Sequence, residues 1–329
     1  MPNNEVYPWQ DDTWKALIKA VSHDRLAHAI LMKGQKGLGK NTFAKQLAQS
    51  LFCSSTDSEG FACGQCEDCL LFLSGNHPDF ILLTPEEKSK SIKIAQVRGI
   101  VNFAHQTPQR NKSKVIIVTP AEVMNSAAAN ALLKTLEEPA KNTYIFLISE
   151  SSARLLPTIR SRCYQLNFDV PDQSIAMQWL EGKGGQVKLE IALGLARGAP
   201  LEALAIVEEG SLESRGQCFN VWYNWQQRKN NMADIIKTWS EASMLFVIDQ
   251  YISWMLDVIK IKQSISTGLI NQDFATQLNQ IATKVNLNKI YDYYAELLKF
   301  RLWLQLPQVN LNEKMQLESL LIDWIQVVK

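Results

Sequence analysis

The sequence predicts an α/β domain built on a parallel sheet, followed by an all-α region. Three observations carry that expectation. A glycine-rich loop, Gly34-Gln35-Lys36-Gly37-Leu38-Gly39-Lys40-Asn41, sits between a short apolar run and a helical pattern. Strand-length apolar runs alternate with helical periodicity as far as residue 168, the pattern of a sheet covered by helices. Beyond Pro171 the strand signals stop and the rest of the chain reads as helix.

The elements follow in order. Thr13–Val21 reads as the first helix and Ala29–Met32 as the first strand. After the loop, Phe43, Ala44, Leu47, Ala48 and Leu51 share one face of a helix over Asn41–Phe52. Phe80–Leu83, Val115–Val118, Tyr144–Ile148 and Tyr164–Phe168 are the further strands, with helices at Ile94–Ala104 and Ser126–Glu138 between them. Short helices are expected at Gln173–Glu181, Lys188–Ala196 and Leu201–Glu208, punctuated by Gly182, Gly184, Gly185 and Gly198. From about residue 211 the chain is helical throughout. Leu245, Ile248, Ile252, Met255 and Ile259 make one apolar face. Trp222, Trp225, Trp239, Trp254, Trp303 and Trp324 are expected in the helix–helix core.

The loop matches the phosphate-binding pattern G-x-x-x-x-G-K-[ST] with one fault. In a working loop the backbone N–H groups cradle phosphates, the lysine reaches the β- and γ-phosphates, and the final hydroxyl holds Mg²⁺. Here that position is Asn41, whose longer amide does not replace the hydroxyl. Thr42 follows one residue late, turned about 100° around the helix. A second fault lies at Val115–Val118. Such a strand ends in an acidic residue on Mg²⁺ in P-loop ATPases, yet this one runs into Thr119-Pro120-Ala121, with Glu122 beyond the strand end. The plainer alternative is a chance loop beside an unrelated strand. The flanking strand–loop–helix order speaks against it.

Cys53, Cys63, Cys66 and Cys69 form the second strong signal. Two thiolates can turn onto one metal from each C-x₂-C step, and four close a tetrahedral Zn²⁺ shell with no open position, so the expected role is structural. An iron–sulfur cluster and free buried thiols are the competing readings. Gly60, Gly64 and the polar run Ser54–Ser58 suit turns, making the module an insertion at about 53–75. His77-Pro78-Asp79 reads as a turn into the next strand, because four sulfurs already fill the shell.

With 329 residues, 46% apolar and 20% charged, the chain has room for two or three domains. A net charge of +1 gives no strong nucleic-acid footprint. No apolar run approaches the ~20 residues of a membrane span, and Met1–Glu5 carries no signal-peptide pattern, so a cytoplasmic protein with no membrane partner is expected. Cys163 and Cys218 are then free thiols. His23, His28, His77 and His105 form no Ser/His/Asp constellation, and Glu137-Glu138 reads as a helix end before Pro139.

Asn130-Ala131-Leu132-Leu133-Lys134-Thr135-Leu136-Glu137-Glu138-Pro139, together with Ser161-Arg162-Cys163 and the four-cysteine insertion, closely resembles the bacterial clamp-loader members of the AAA+ ATPases. The motifs cover about the first 210 residues. Beyond them only the helical character is shared. The resemblance implies a P-loop AAA+ domain over 1–168, a small helical lid over 169–210, and a helical collar for oligomerisation over 211–329. It also locates the departures. Thr119 and Pro120 stand where the ATPase members carry Asp-Glu, and Leu201, in Ala196–Leu204, falls on their sensor arginine. Gly34, Gly37, Gly39 and Lys40 are retained. The implied subunit neither binds nor hydrolyses ATP as its neighbours do. By the same resemblance, Arg162 is an arginine finger acting in trans, with Arg154 and Arg160 close by. The implied partners are gamma/tau ATPase subunits and the delta subunit, and, through the complex, the sliding clamp and primed DNA of the DNA polymerase III holoenzyme. Two alternatives are a catalytic clamp-loader ATPase and a zinc-containing nucleic-acid-binding module on an inactive ATPase scaffold.

Overall fold

The computed structural model describes residues 6–328 except 87, 88, 90, 111, 112, 266 and 306–311. Met1–Glu5, read above for the lack of a signal pattern, lie outside the described residues. The chain forms two compact units, one of Met1–Trp179 with Ala199–Leu201, the other of Leu180–Gly198 with Glu202–Lys329.

The first unit is the α/β part. Its strands are β1 (Ala29–Lys33), β2 (Phe80–Leu83), β3 (Lys114–Val118), β4 (Thr143–Ser149) and β5 (Tyr164–Asn167). They make one parallel sheet in the order β2-β3-β4-β1-β5. Leu31 is level with Leu147 on one side and Gln165 on the other. The interior position of β1 puts its carboxyl end between the ends of β4 and β5, in the region where open parallel sheets bind ligands. Phe168 closes the strand row, its amide donating to the Lys33 carbonyl at 2.7 Å.

Helices α1 (Asp11–Ser22), α2 (Lys40–Phe52), α3 (Glu67–Leu73), α4 (Ile94–His105), α5 (Ser126–Glu137) and α6 (Pro157–Arg160) complete most of this unit. Alternation along the strands decides which face each residue serves. Leu31, Ile116, Val118, Ile145 and Leu147 join Val97 and Ile100 of α4, Leu132 and Leu136 of α5, and Ile159 of α6 in one buried cluster. Asn125 starts α5, its side-chain oxygen accepting from the Ala128 amide at 2.8 Å. The helix α3, inside the cysteine module, has no counterpart among the expected helices, because seven residues are too few for periodicity to show. On α2, Leu51 is only half-buried and Phe52 takes the core place.

The helices α7 (Gln173–Leu180), α8 (Gln186–Leu195), α9 (Pro200–Glu208), α10 (Ser211–Gln226), α11 (Met232–Ser240), α12 (Met244–Lys262), α13 (Ala275–Lys284), α14 (Leu287–Gln305) and α15 (Glu313–Val327) follow in the chain. In the second unit Trp222, Trp239, Trp254 and Trp324 are fully buried around Tyr251, and Trp225 packs against them half-buried. Trp303 departs from the expected core and is 42% exposed. The buried stripe of α14 runs through Ile290, Tyr293, Leu297 and Phe300, with Leu304 packed against it, which leaves Trp303 at its edge. Among the described residues no helix is long and apolar enough to cross a membrane.

Candidate functional site

The loop after β1 is folded in on itself. Gly34 has φ +155°, and a Cβ there would lie 2.3 Å from the Phe168 carbonyl oxygen. Gly39 has φ +84°, and a Cβ there would lie 2.4 Å from the ring of Tyr7. Both positions therefore need glycine for space as well as for backbone freedom. Lys40 is buried, and its Nζ donates to the carbonyls of Gly34 at 2.6 Å and Gln35 at 2.7 Å. Other donors take the next carbonyls. The Leu201 amide donates to Gly37 at 3.1 Å. Trp9 Nε1 and Gln10 Nε2 donate to Leu38 at 3.1 and 2.8 Å. Tyr7 stacks on Trp9 with centroids 5.0 Å apart, and Trp179 meets both rings edge-on at 5.5 Å.

Burial pushes the Lys40 ammonium below its ordinary range, against the opposing pull of Glu150 and Glu122. Glu122 lies past the end of β3, as its sequence position indicated. Its Oε1 accepts from the amides of Glu150 at 2.9 Å and Ser151 at 3.2 Å, which draws the carboxylate to the end of β4. Asn41 is exposed and Thr42 half-buried. Tyr7, Trp9, Trp179 and the Leu201 backbone had no place in the motif reading. Only the aromatic density around residue 8 could have signalled them.

The four cysteines of the insertion meet. The sulfurs of Cys53, Cys63, Cys66 and Cys69 all lie within 4.8 Å of one another, and Cys63 and Cys69 are 4.0 Å apart. A tetrahedral Zn²⁺ with sulfurs at ~2.3 Å needs sulfurs roughly 3.8 Å apart, so the donor set fits zinc with little movement. Amides already point at the sulfurs. Cys63 and Ser55 donate to the Cys53 sulfur at 3.2 and 3.4 Å, and Cys66 donates to the Cys63 sulfur at 3.3 Å. Amide hydrogen bonds pull the Cys63 thiol down. Burial raises Cys66, but hydrogen bonds from Ser54 and Cys69 outweigh it and bring it to about 6. Hydrogen bonds thus favour the thiolate at Cys63 and Cys66, while burial raises the thiols of Cys53 and Cys69.

His77 stands outside the four-sulfur group. Its ring stacks on Phe52 with centroids 3.9 Å apart, its Nδ1 accepts from the Asp79 amide at 3.2 Å, and its Nε2 is 3.7 Å from Asp68. Arg110 ties the module to the loop before β3, reaching Asp68 at 2.8 Å and Glu67 at 2.5 Å.

Arg162 follows α6. Cys163 is buried in the cluster between α5 and α6, and burial raises its thiol to about 12. That anchor turns the preceding side chain outward. Nε of Arg162 donates to Oε1 of Glu137 at 2.5 Å, Nη2 stands 2.5 Å from the same oxygen as an ion pair, and Nη1 donates to the Thr158 carbonyl at 3.0 Å and to Ser161 Oγ at 3.5 Å. The pair is partly exposed, at 35% and 46%. The structure thus joins two residues that the sequence reading kept apart. One signal was available: a carboxylate in the last turn of a helix faces the negative end of the dipole, so it asks for a cationic partner.

A family model described as DNA polymerase III, delta subunit matches residues 9–172, and one described as its C-terminal part matches residues 209–326. A DNA polymerase III subunit delta' of Pseudomonas aeruginosa is 35% identical over 324 residues, covering 97% of each chain. The subunit of the same name from Haemophilus influenzae is 35% identical over 279 residues, 84% of each chain. That of Yersinia pestis is 31% identical over 337 residues, 97% of this chain and 95% of its own.

Proposed function

Because the chain belongs to the family of DNA polymerase III delta' subunits, we propose that it is a clamp-loader subunit that hydrolyses no ATP itself and supplies Arg162 in trans to a neighbour's ATP site. One observation carries the first half: Lys40 is spent on the carbonyls of its own loop. To meet a phosphate it must give up both hydrogen bonds, and the Tyr7 ring crowds Gly39 at the amide end of α2, where a phosphate would sit. Asn41 and the Thr119-Pro120 pair add the loss of both metal-holding positions.

The second half rests on the exposed guanidinium of Arg162. Such a group is always charged, and its planar fork matches phosphate oxygens. This chain's own loop offers it no nucleotide to serve, so its use lies with a neighbour. The subunit would stand beside gamma/tau ATPase subunits and delta, helping the complex place the sliding clamp on primed DNA. Residues 1–168 would form the ATPase-like body, 169–210 the lid and 211–329 the collar. The cysteine set would hold Zn²⁺ as a structural closure of the insertion.

The test uses the isolated chain and the reconstituted complex. With ATP and Mg²⁺ the isolated chain should show no turnover. A rate near the ~1–10 s⁻¹ common for enzymes, abolished by Lys40→Ala, overturns the non-hydrolysing reading. In complexes rebuilt with ATPase subunits from the same source, Arg162→Ala should lower clamp- and DNA-stimulated ATP turnover and slow clamp loading. Arg162→Lys should not restore it. Normal loading by the assembled Arg162→Ala complex removes the trans role.

A further inference from the structure

We infer that Glu137 is a positioning residue for Arg162, gripping the guanidinium by one edge so that its outer N–H groups stay aimed at a ligand from another chain. The inference rests on the trans role proposed above for Arg162.

A guanidinium has five N–H donors in a fixed plane. Nε donates to Oε1 of Glu137, Nη2 ion-pairs with the same oxygen, and Nη1 donates to the Thr158 carbonyl. Nη2 keeps an outer N–H, and the second N–H of Nη1 makes only a long contact to Ser161. Ser161 Oγ stands at 3.5 Å from Nη1, at the limit of a hydrogen bond. Once the long Ser161 contact yields, these two N–H groups are the fork that two phosphate oxygens accept.

Glu137 is well suited to this grip and poorly suited to its own helix. It ends α5, where a carboxylate meets the negative pole of the dipole. Its position makes sense once the cation of Arg162 is counted. The two residues are also borne on separate supports. Leu132 and Leu136 anchor α5 in the core, while Ile159 and Cys163 anchor the segment that carries Arg162. A long arginine side chain loses considerable rotamer freedom when it is ordered. Holding it before the neighbour arrives removes that penalty from the engagement step.

The plainer role for the pair is to fasten α6 to α5, and the test separates the two. Complexes reconstituted with ATPase subunits from the same source would carry Arg162→Ala, Glu137→Ala, Glu137→Gln, or Arg162→Ala with Glu137→Ala. Stimulated ATP turnover, KM for ATP and complex assembly are read for each, with the thermal midpoint of the isolated chain. Glu137→Ala should lower kcat by most of the fold-change caused by Arg162→Ala, with KM within about two-fold of wild type. The double variant should be no slower than Arg162→Ala alone, because the two residues act through one fork. Glu137→Gln, which keeps an acceptor oxygen, should recover part of the rate, and it serves where Glu137→Ala folds poorly.

If Arg162→Ala turns over like wild type, the trans reading fails and this inference with it. If Arg162→Ala is slow and both Glu137 variants match wild type, only the positioning role of Glu137 is overturned. If the double variant is slower than Arg162→Ala, or the Glu137 variants lose assembly or thermal stability in step with activity, Glu137 acts as a structural fastener and the inference is overturned.

Discussion

Arg162 and Glu137, 25 positions apart in the chain, meet through two 2.5 Å contacts to a single carboxylate oxygen. The pair is partly open to solvent, so its mechanical value and its thermodynamic value differ. An exposed ion pair is worth about 0–1 kcal/mol. Arg162→Ala should therefore lower the stability of the isolated chain by no more than ~1 kcal/mol in urea unfolding, while in the assembled complex it should lower stimulated ATP turnover. A stability loss several times that size would mark Arg162 as a core fastener.

Gly39 tests the closed loop. Its φ of +84° strains any residue with a Cβ, and the Tyr7 ring stands 2.4 Å from where that atom would be. Gly39→Ala should cost about 2–4 kcal/mol, combining left-handed backbone strain with overpacking. Gly64 has φ +70° with nothing within 4 Å of its would-be Cβ, so Gly64→Ala should cost only about 1–2 kcal/mol. Equal losses at the two sites would show that Tyr7 does not press on the loop.

The cysteine set should bring down one zinc per chain in metal analysis of protein purified with reduced thiols. Removing it with a chelator should raise amide exchange across residues 53–69 before the sheet strands respond, because the module is an insertion beside β2. Cys69→Ser, at the buried ligand, should lose the metal. A colourless, metal-free preparation with four reactive thiols removes the site. Iron with visible colour replaces zinc by a cluster.

The second unit has a buried charge that should be its weakest point. Arg215, 2% exposed at the side chain, donates to Asp273 at 2.6 Å and to Asn271 at 2.6 Å, and lies 4.3 Å over the Phe274 ring. Asp273→Ala leaves the guanidinium buried and half-paired, at a cost of about 3 kcal/mol. Arg215→Met removes the buried charge itself and should cost less. Urea unfolding of both variants decides the order, and the reverse order would mean that Asn271 and Phe274 suffice to hold the cation.

Local physics made much of this protein legible from its sequence. Short apolar runs located the five strands, and the helical period located the longer helices around them, to within one or two residues, since a buried parallel strand is apolar on both faces and a packed helix on one. Fixed-offset motifs did the same for chemistry. Cys53 and the two C-x₂-C steps of Cys63, Cys66 and Cys69 bring four sulfurs within 4.8 Å of one another, and the loop glycines that the motif demanded are those whose would-be Cβ atoms meet Phe168 and Tyr7.

Contacts that no repeat or motif prescribes had no such signature. The turn of Lys40 onto Gly34 and Gln35, the Tyr7 ring over Gly39, the Leu201 amide on Gly37 and the grip of Glu137 on Arg162 were decided only by the tertiary structure. The exposure of Trp303 was decided there too, because a helical stripe shows which residues share a face and leaves open how wide a neighbour covers it. The sequence by itself determined which groups the chain owns and along which elements they lie. Folding determined which of those groups face each other, because a hydrogen bond depends on distance and angle at its two ends, and neither is written in local spacing.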